Sequence, residues 1–413
     1  MCLFSFCFIY IIRIFMSSSD ENKSSVTYYL ERNVNKNVSK KILIWTPFLS
    51  DTIIEYFEKC QSNCKDTCKC TFTVNKSEIT TADAVIFQNY DLFPRSVNWK
   101  IGTKTTISFP TYRRPDQVWI LFNMEPPSNM FWDPAILNGV FNWTAWYRQD
   151  ATLMWLYGHK YTLNRSESND ARELFGNTNF HKEKTREVAG MISNCKDQAE
   201  RYKLVHKMQK YVTVDMYGGC YDRPCERVSK SENKSCDEIL KQYKFYLAFE
   251  NSLCKDYVTE KYWNALKREQ IPIVNWKNIS ENIVIPKSYI NVYDYKDIKS
   301  LANYVKKVSS NATLYNSYFQ WKTKYKDKGT CVTFELCQLL SRNSYQRQVY
   351  SDFANWDQGR YMSKSNRCEQ YKKTRKLVVV SETWDRYIVL VASRYIDDTR
   401  AVDVEHIVWT PIH

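Results

Sequence analysis

Two successive series of short apolar segments constrain the fold of this chain most strongly. The first series comprises "KILIW" (41–45), "ADAVIF" (82–87) and "QVWILFN" (117–123). After a polar region, the second comprises "VAGMIS" (188–193), "YVTVDMYG" (211–218), "KFYLAFE" (244–250) and "IPIVNW" (271–276). Helical patterns lie between and after these strand candidates, at 199–209, 259–269 and 300–309. Strands that alternate with helices predict an α/β fold. We therefore expect two parallel-sheet domains facing a cleft, with ligands at the carboxyl ends of the strands.

The segments outside these two series predict three appendages. The chain of 413 residues is long enough for two domains. Its first 16 residues, "MCLFSFCFIYIIRIFM", are apolar and predict a short signal-anchor, although a misassigned start codon is the alternative. Residues 17–40 are rich in Ser, Asn and Lys and predict a flexible stem. The tail from 372 to 413 is β-prone, and we assign it no function.

Cysteines and glycosylation triplets indicate the compartment. The chain has 14 cysteines, which is many for a cytosolic protein. Asn-x-Ser/Thr triplets begin at Asn22 and at seven glycosylation candidates, Asn37, Asn75, Asn142, Asn164, Asn233, Asn278 and Asn311. Together these features predict an oxidising, glycosylating lumen.

The cysteine spacing favours disulfides over zinc. Cys60, Cys64, Cys68 and Cys70 do not form paired C-x-x-C knuckles, and none of the 5 histidines lies near them. Cys331 and Cys337 are candidate partners for that array. Cys195 has three candidate partners, Cys220, Cys225 and Cys236.

The charge balance and the missing motifs narrow the function. Lys+Arg exceed Asp+Glu by 59 − 45 = 14, which suits a polyanionic ligand or simply a solvated basic surface. No long basic run is present, so we expect no nucleic-acid partner. The sequence also lacks a P-loop, a G-x-G-x-x-G string, a D-x-D pair and a nucleophile elbow.

The segment "FYLAFENSLCKDYVTEKYWNAL" (245–266) predicts a phosphate site. A helix that begins near residue 259 would present free backbone amides, and Lys261 adds a full positive charge beside them. Glu260 suits sugar or ribose hydroxyls, while Asn251 and Tyr257 supply neutral hydrogen-bonding groups. The alternative is an ordinary amphipathic helix whose Glu260 and Lys261 face water.

Three other positions carry candidate chemistry, each with a plainer alternative. Glu125 follows a strand in "ILFNMEPPSNM", and the prolines could hold its carboxylate rigidly as a general base, or simply form a turn. The segment "FNWTAWYRQDA" (141–151) could form a sugar platform or, more simply, a packing block. Arg201 is either a second cation for an anion or a surface arginine.

Several of these motifs resemble one family. The 245–266 segment is similar to the donor-binding signature of eukaryotic α1,3-fucosyltransferases over 22 positions. "FNMEPPSNM" resembles the E-S-P motif of that family, with Pro126 in place of serine. The motifs "FNWTAWYRQDA", "SNC" with Arg201, "VDMYGGC" and "FELCQLL" resemble further family patterns. The resemblance extends from about residue 41 to residue 342.

The resemblance implies an architecture and a location. It implies the GT-B arrangement of two Rossmann-like domains, with an acceptor-binding domain at 41–182, a GDP-fucose-binding domain at 183–345 and an extension at 346–371. It also implies a single-pass type II protein of the Golgi membrane with a luminal catalytic region.

The resemblance further implies an inverting transfer of L-fucose from GDP-fucose to the 3-hydroxyl of GlcNAc on a glycoprotein or glycolipid. Glu125 would be the base, Arg201 and Lys261 would hold the diphosphate, and Glu260 would contact sugar or ribose. Asn251 and Tyr257 would line the donor pocket. No metal would be required, although manganese could stimulate the reaction. The alternatives are a related nucleotide-sugar transferase and an inactive glycan-binding protein on the same fold.

Overall fold

The computed structural model describes fourteen stretches of the chain: residues 27–30, 39–46, 53–62, 70–92, 109–129, 134–225, 235–329, 331–341, 346–353, 356, 368, 375–383, 386–394 and 404–410. The predicted signal-anchor at 1–16 lies outside these stretches, as do Cys64, Cys68, Asn22, Asn37 and Asn233. Within them, no helix has the length and apolar character needed to cross a bilayer.

The described strands and helices follow one another along the chain. The strands are β1 (Thr27–Leu30), β2 (Lys40–Ile44), β3 (Cys70–Thr73), β4 (Ala84–Gln88), β5 (Val118–Asn123), β6 (Trp143–Trp146), β7 (Leu153–Met154), β8 (Lys160–Thr162), β9 (Arg186–Met191), β10 (Val214–Tyr217), β11 (Tyr243–Leu247), β12 (Ile271–Val274), β13 (Ile290–Asn291), β14 (Tyr325–Asp327), β15 (Gln346–Val349), β16 (Arg375–Thr383), β17 (Arg386–Arg394) and β18 (Val404–Thr410). The α-helices are α1 (Ile53–Ser62), α2 (Arg165–Phe175), α3 (Arg201–Gln209), α4 (Cys236–Lys241), α5 (Glu260–Lys267), α6 (Ile298–Ser310), α7 (Ala312–Ser317) and α8 (Thr333–Ser341).

The first lobe is built on a six-stranded sheet with the order β3-β2-β4-β5-β6-β7. Every pairing in this sheet is parallel. All six residues of β5 are buried, as expected for a central strand that is covered on both faces. Glu125 comes two residues after this strand, so the sheet places it at the carboxyl edge.

The second lobe is built on a five-stranded sheet with the order β10-β9-β11-β12-β13, again parallel throughout. Helices α3 and α6 cover one face, and α4 and α5 cover the other. The order of strands reverses between β9 and β11, because β10 lies on one side of β9 while β11 and then β12 lie on the other. This is a topological switch point, where open α/β sheets bind ligands.

The α/β prediction with two parallel-sheet domains is confirmed. The quoted apolar segments correspond to β2, β4 and β5 in the first lobe and to β9 to β12 in the second. The predicted helices correspond to α3, α5 and α6. The local sequence does not predict β3 or the helix α2, which lies within the polar region between the two series. The surface helix α2 buries only Ala171, so it offers little apolar periodicity.

The segment 141–151 has the packing role that was the plainer alternative. Its residues Trp143–Trp146 form the buried strand β6. Arg148 is buried, forms an ion pair with Asp150 at 2.6 Å, and lies 4.2 Å above the ring of Trp356.

Two elements of the structure cross the predicted domain boundaries. Part of the predicted stem forms β1, which pairs antiparallel with β15. Helix α8, which the boundary at residue 345 assigned to the second domain, packs on the first lobe through Leu336 and Leu340. The chain therefore returns to its first lobe after completing the second. A division of the chain into consecutive segments does not represent such a return.

The three β-prone segments of the tail form β16, β17 and β18. These strands make an antiparallel three-stranded sheet in the order β16-β17-β18, with a register shift between Val391 and Ala392.

The two lobes share one continuous hydrophobic core that includes Trp146 of the first lobe and Trp263 of the second. Gly158 lies against Trp263, and a Cβ atom at position 158 would come within 2.2 Å of Cδ2 of its indole ring. Only glycine permits this close approach. The contact seats α5 of the second lobe directly against the first lobe.

Four disulfides link the described residues: Cys70–Cys337, Cys195–Cys220, Cys225–Cys236 and Cys254–Cys368. The predicted pairing of Cys337 with the Cys60–Cys70 array is confirmed through Cys70. Burial raises the pKa of the Cys60 thiol to about 12, with the Cys331 side chain as its neighbour. Cys254 and Cys368 are not among the predicted disulfide candidates; they are 114 positions apart in the chain.

Asn142 differs from the other described glycosylation candidates because it is 2% exposed. Its Oδ1 accepts from Arg113 Nη2 at 2.7 Å and from Trp119 N at 2.9 Å, and its Nδ2 donates to the Gln348 carbonyl. A glycan at this position is incompatible with the folded core. Asn75, Asn164 and Asn311 are exposed, and Asn278 is half-buried.

Candidate active site

Glu125 lies at the carboxyl edge of the first sheet, and its backbone is held by three hydrogen bonds. Glu125 N donates to Asn123 Oδ1 at 3.0 Å, and Asn123 Nδ2 donates to the Glu125 carbonyl at 3.2 Å. The same carbonyl accepts from Trp146 Nε1 at 2.9 Å. Pro126 and the 3₁₀ turn Pro127–Asn129 follow immediately. These contacts fix the backbone position from which the Glu125 side chain extends.

The Glu125 carboxylate is contacted from both lobes through the same oxygen, Oε2. Asn129 Nδ2 donates to it at 2.7 Å, and the Tyr257 hydroxyl of the second lobe donates to it at 3.3 Å. The candidate base is thus not a solvated turn residue. It faces the segment that the sequence analysis identified as the phosphate site.

Tyr157 and Tyr257 form the wall beside Glu125. Their ring centroids are 6.5 Å apart, and the Tyr157 hydroxyl donates to the Met124 carbonyl at 2.9 Å. Burial raises the pKa of both phenols well above the usual value, and nearby carboxylates including Glu125 raise it further. Both tyrosines therefore remain neutral hydrogen-bond donors at physiological pH.

The loop that carries Tyr257 is tied down on both sides. Asp256 accepts from Gln149 Nε2 of the first lobe at 2.6 Å, and from Ser280 N at 2.7 Å. Ser252 Oγ accepts from Ser128 Oγ of the first lobe at 2.9 Å. With the disulfide at Cys254, these contacts fix the loop against the turn that follows Glu125.

Glu250, at the end of the apolar run, anchors the start of α5. Its side chain is fully buried and accepts from Thr259 N at 2.7 Å through Oε1 and from Thr259 Oγ1 at 2.9 Å through Oε2. Burial raises the Glu250 pKa above its usual value, and the positive charge of Lys261 opposes that rise. Glu250 therefore fixes the N-cap of α5 from the buried side of the helix.

Lys261 lies in the first turn of α5, where three oxygens hold its ammonium group. Nζ is 2.8 Å from Thr259 Oγ1, 3.1 Å from Glu260 Oε1 and 3.4 Å from Glu250 Oε2. Burial works against the charged form of Lys261, but the two carboxylates outweigh it and raise the pKa. Lys261 is thus a fixed positive charge. The Glu260 side chain is 51% exposed and reaches solvent beside it.

Arg201 begins α3 and lies at the switch point of the second sheet. Its Nε donates to Asp197 Oδ2 at 2.9 Å, and both side chains are almost fully buried. Its Nη1 and Nη2 contact the carbonyls of Phe249 and Asn194 at 3.3 and 3.5 Å, which are long distances for hydrogen bonds. The terminal nitrogens are therefore held more weakly than Nε.

Asn251 joins the two loops at the switch point. Its carbonyl accepts from Ala199 N at 3.1 Å, just before α3. Its side-chain Oδ1 is buried, and it has no hydrogen-bond partner within the described part of the chain. An unpaired buried oxygen is unfavourable, and it indicates a position that a ligand donor could satisfy.

The structure brings the predicted site residues together at the facing carboxyl edges of the two sheets. Glu125 comes from the first lobe, and Arg201, Asn251, Tyr257, Glu260 and Lys261 come from the second. Neither Glu250 nor Asn129 is among the predicted site residues. Asn129 had a weak signal, since it is four residues from Glu125 in the same turn. Over the stretches that the structure describes, no three His, Cys, Asp or Glu side chains cluster as metal ligands would.

Family models match both lobes. The model described as "Fucosyltransferase, N-terminal" matches residues 37–158, and "Glycosyltransferase family 10 (fucosyltransferase) C-term" matches residues 181–356. The two matches therefore cover both sheets and every residue of the candidate site.

Several curated relatives are similar over most of this chain. "Glycoprotein 3-alpha-L-fucosyltransferase A" of Drosophila melanogaster is 32% identical over 70% of this chain, and the match spans 54% of that protein. "Alpha-(1,3)-fucosyltransferase fut-6" of Caenorhabditis elegans is 32% identical over 70% of this chain and 72% of the relative. The human "4-galactosyl-N-acetylglucosaminide 3-alpha-L-fucosyltransferase FUT5" is 32% identical over 74% of this chain and 77% of the relative.

Proposed function

This chain belongs to glycosyltransferase family 10, the fucosyltransferases, and from that membership we propose that it transfers L-fucose from GDP-fucose to the 3-hydroxyl of a GlcNAc residue, forming an α1,3 linkage. The observation that carries the proposal is the hydrogen bond between Glu125 and Tyr257 of the second lobe, near Lys261 in the first turn of α5. A base and an anion site therefore face the same space.

The proposed reaction is a single inverting displacement. Glu125 takes the proton of the acceptor hydroxyl while the hydroxyl oxygen forms a bond to C1 of fucose. The bond between C1 and the β-phosphate oxygen breaks, and its electron pair leaves with GDP. The sugar passes through an oxocarbenium-like state, which the exposed Glu260 carboxylate can stabilise.

The leaving diphosphate is anionic, and the second lobe offers positive charge for it. Lys261 and the amides of the α5 N-terminus lie on one side of the switch point, and Arg201 lies on the other. Because the two carboxylates around Lys261 neutralise it in the free protein, a bound diphosphate would compete with them for its ammonium group. We propose that these groups receive GDP without a bound metal, so activity should persist in EDTA, with manganese at most stimulatory.

The proposed location is the Golgi lumen, with residues 1–16 as a type II signal-anchor. The four disulfides are consistent with an oxidising compartment. A tagged full-length chain should co-localise with Golgi markers, and endoglycosidase treatment should lower its apparent mass.

A transfer assay tests the proposal. The purified protein is incubated with labelled GDP-fucose and an acceptor panel that contains N-glycan core GlcNAc, LacNAc and LacdiNAc. The expected result is an α1,3-fucosylated product that GDP inhibits and that UDP and CMP do not. Transfer from a UDP- or CMP-sugar instead would identify a related transferase, and glycan binding without transfer or donor hydrolysis would identify an inactive binding protein.

A further inference from the structure

We propose that Asn129 and Tyr257 are positioning residues that hold Oε2 of Glu125, so that Oε1 is the oxygen that takes the acceptor proton. This inference rests on the fucosyl transfer proposed above. It assigns separate roles to the two oxygens of the base and gives a function to Asn129, which no motif singled out.

The contacts at the carboxylate are asymmetric. Oε2 accepts from Asn129 Nδ2 at 2.7 Å and from the Tyr257 hydroxyl at 3.3 Å. No described residue donates to Oε1, which leaves that oxygen available to a substrate hydroxyl. The contacts with Asn123 and Trp146 fix the backbone of Glu125, and the two Oε2 contacts fix the orientation of its carboxylate.

Neither donor can compete with Glu125 for the proton. The Asn129 amide has no titrating group. Tyr257 is 2% exposed, and burial keeps its phenol protonated. Both groups therefore act as permanent donors that stabilise the ionised carboxylate, which is the form that a general base needs.

The two donors belong to different lobes, so the orientation of the base depends on contact between the lobes. Asn129 ends the 3₁₀ turn after Glu125, and Tyr257 is carried by the tethered loop of the second lobe. The Gln149–Asp256 and Ser128–Ser252 hydrogen bonds hold that loop in place. Separation of the lobes would free Oε2 from Tyr257 while Asn129 stayed bound.

The experiment measures kcat and the KM for GDP-fucose at saturating acceptor for the wild type and for Asn129→Ala, Asn129→Gln and Tyr257→Phe. A carboxylate that loses an Oε2 contact no longer presents Oε1 in one orientation, so proton transfer slows while donor binding is retained. We expect kcat to fall by about tenfold in Asn129→Ala and in Tyr257→Phe. The KM of Asn129→Ala for GDP-fucose should stay within about twofold of the wild type. Asn129→Gln keeps an amide donor and should recover part of the lost kcat.

Tyr304→Phe is the matched control. It removes a phenol hydroxyl that pairs with the Tyr318 hydroxyl at 2.9 Å in the second lobe and contacts neither oxygen of Glu125, so its kcat should stay at the wild-type value. A wild-type kcat in both Asn129→Ala and Tyr257→Phe would overturn the inference. If Asn129→Ala fails to fold, Tyr257→Phe decides the question, because it keeps the buried ring. Failure of the proposed function is a different result, since the wild type itself would then transfer no fucose.

Discussion

The Glu250 carboxylate accepts two hydrogen bonds from Thr259, the N-cap of α5. Thr259 N donates to Oε1 at 2.7 Å, and Thr259 Oγ1 donates to Oε2 at 2.9 Å. This contact explains why a carboxylate ends the apolar run and a helix begins ten residues later. Glu250 holds the helix N-cap from within the protein and balances the charge of Lys261, so that the first turn is organised before a ligand arrives.

Substitution of Glu250 should therefore loosen the helix start. Glu250→Gln keeps the shape but loses one acceptor oxygen and the negative charge beside Lys261. We expect the free energy of unfolding to fall by about 1–3 kcal/mol. Urea denaturation measures this, with Glu260→Gln as a control whose exposed side chain should leave stability nearly unchanged. Equal stability of Glu250→Gln and the wild type would contradict the anchoring role.

Removal of the Lys261 charge should weaken nucleotide binding. Lys261→Ala takes away the cation that the two carboxylates hold at the α5 N-terminus, and we expect the Kd for GDP to rise at least tenfold, which is about 1.4 kcal/mol. Isothermal titration calorimetry with GDP provides the measurement. Lys267→Ala is the matched control, because Lys267 lies in the last turn of the same helix and is 59% exposed. A similar Kd in the two variants would remove Lys261 from the anion site.

Removal of the base should separate binding from turnover. Glu125→Gln keeps the contacts of Asn129 and Tyr257 with an amide oxygen in place of Oε2, but the amide cannot take a proton. We expect kcat to fall by about 10²- to 10⁴-fold while the affinity for GDP is retained. Normal transfer by this variant would show that another group accepts the proton.

Lys184 should make stability depend on pH. Its buried Nζ donates to the carbonyls of Lys241 and Arg268 at the ends of α4 and α5, each at 2.8 Å. Burial lowers the Lys184 pKa from 10.5 to about 8. Between these values the unfolded chain binds more protons than the folded one, so this residue should contribute more stability as pH rises from 8 towards 10.5. The urea midpoint of the wild type relative to Lys184→Met should therefore increase between pH 8 and pH 10. A constant difference would show that the Lys184 pKa is not depressed.

The disulfides should contribute unequally to stability. Cys70–Cys337 joins partners 267 positions apart and ties α8 to the first lobe, whereas Cys225–Cys236 closes a loop of 11. On the loop-entropy account, replacing the first pair by serines should cost about 3 kcal/mol more than replacing the second. Thermal unfolding of the two double variants gives the comparison. A larger loss for the Cys225–Cys236 pair would contradict this ranking.

Many of the strands could be predicted from the sequence because their signal is local. Segments such as Val118–Asn123 are continuous apolar runs, which is the pattern of a strand buried on both faces. Helix α8 could not be placed on the first lobe from the sequence because its packing partners lie on β2 and α1, which come far earlier in the chain. Asn142 was read as a glycosylation triplet because a three-residue pattern carries no information about burial.

The sequence by itself determined the α/β class, most strand positions and the residue types available for the chemistry, since periodicity and motif spacing depend on neighbours along the chain. Only the tertiary structure decided which groups meet. Glu125 and Tyr257 are 132 positions apart, and their hydrogen bond exists because two sheets bring their carboxyl edges together. The same packing buried Glu250 and turned it into an anchor for α5. Such contacts depend on the global packing of both lobes, which no local pattern records.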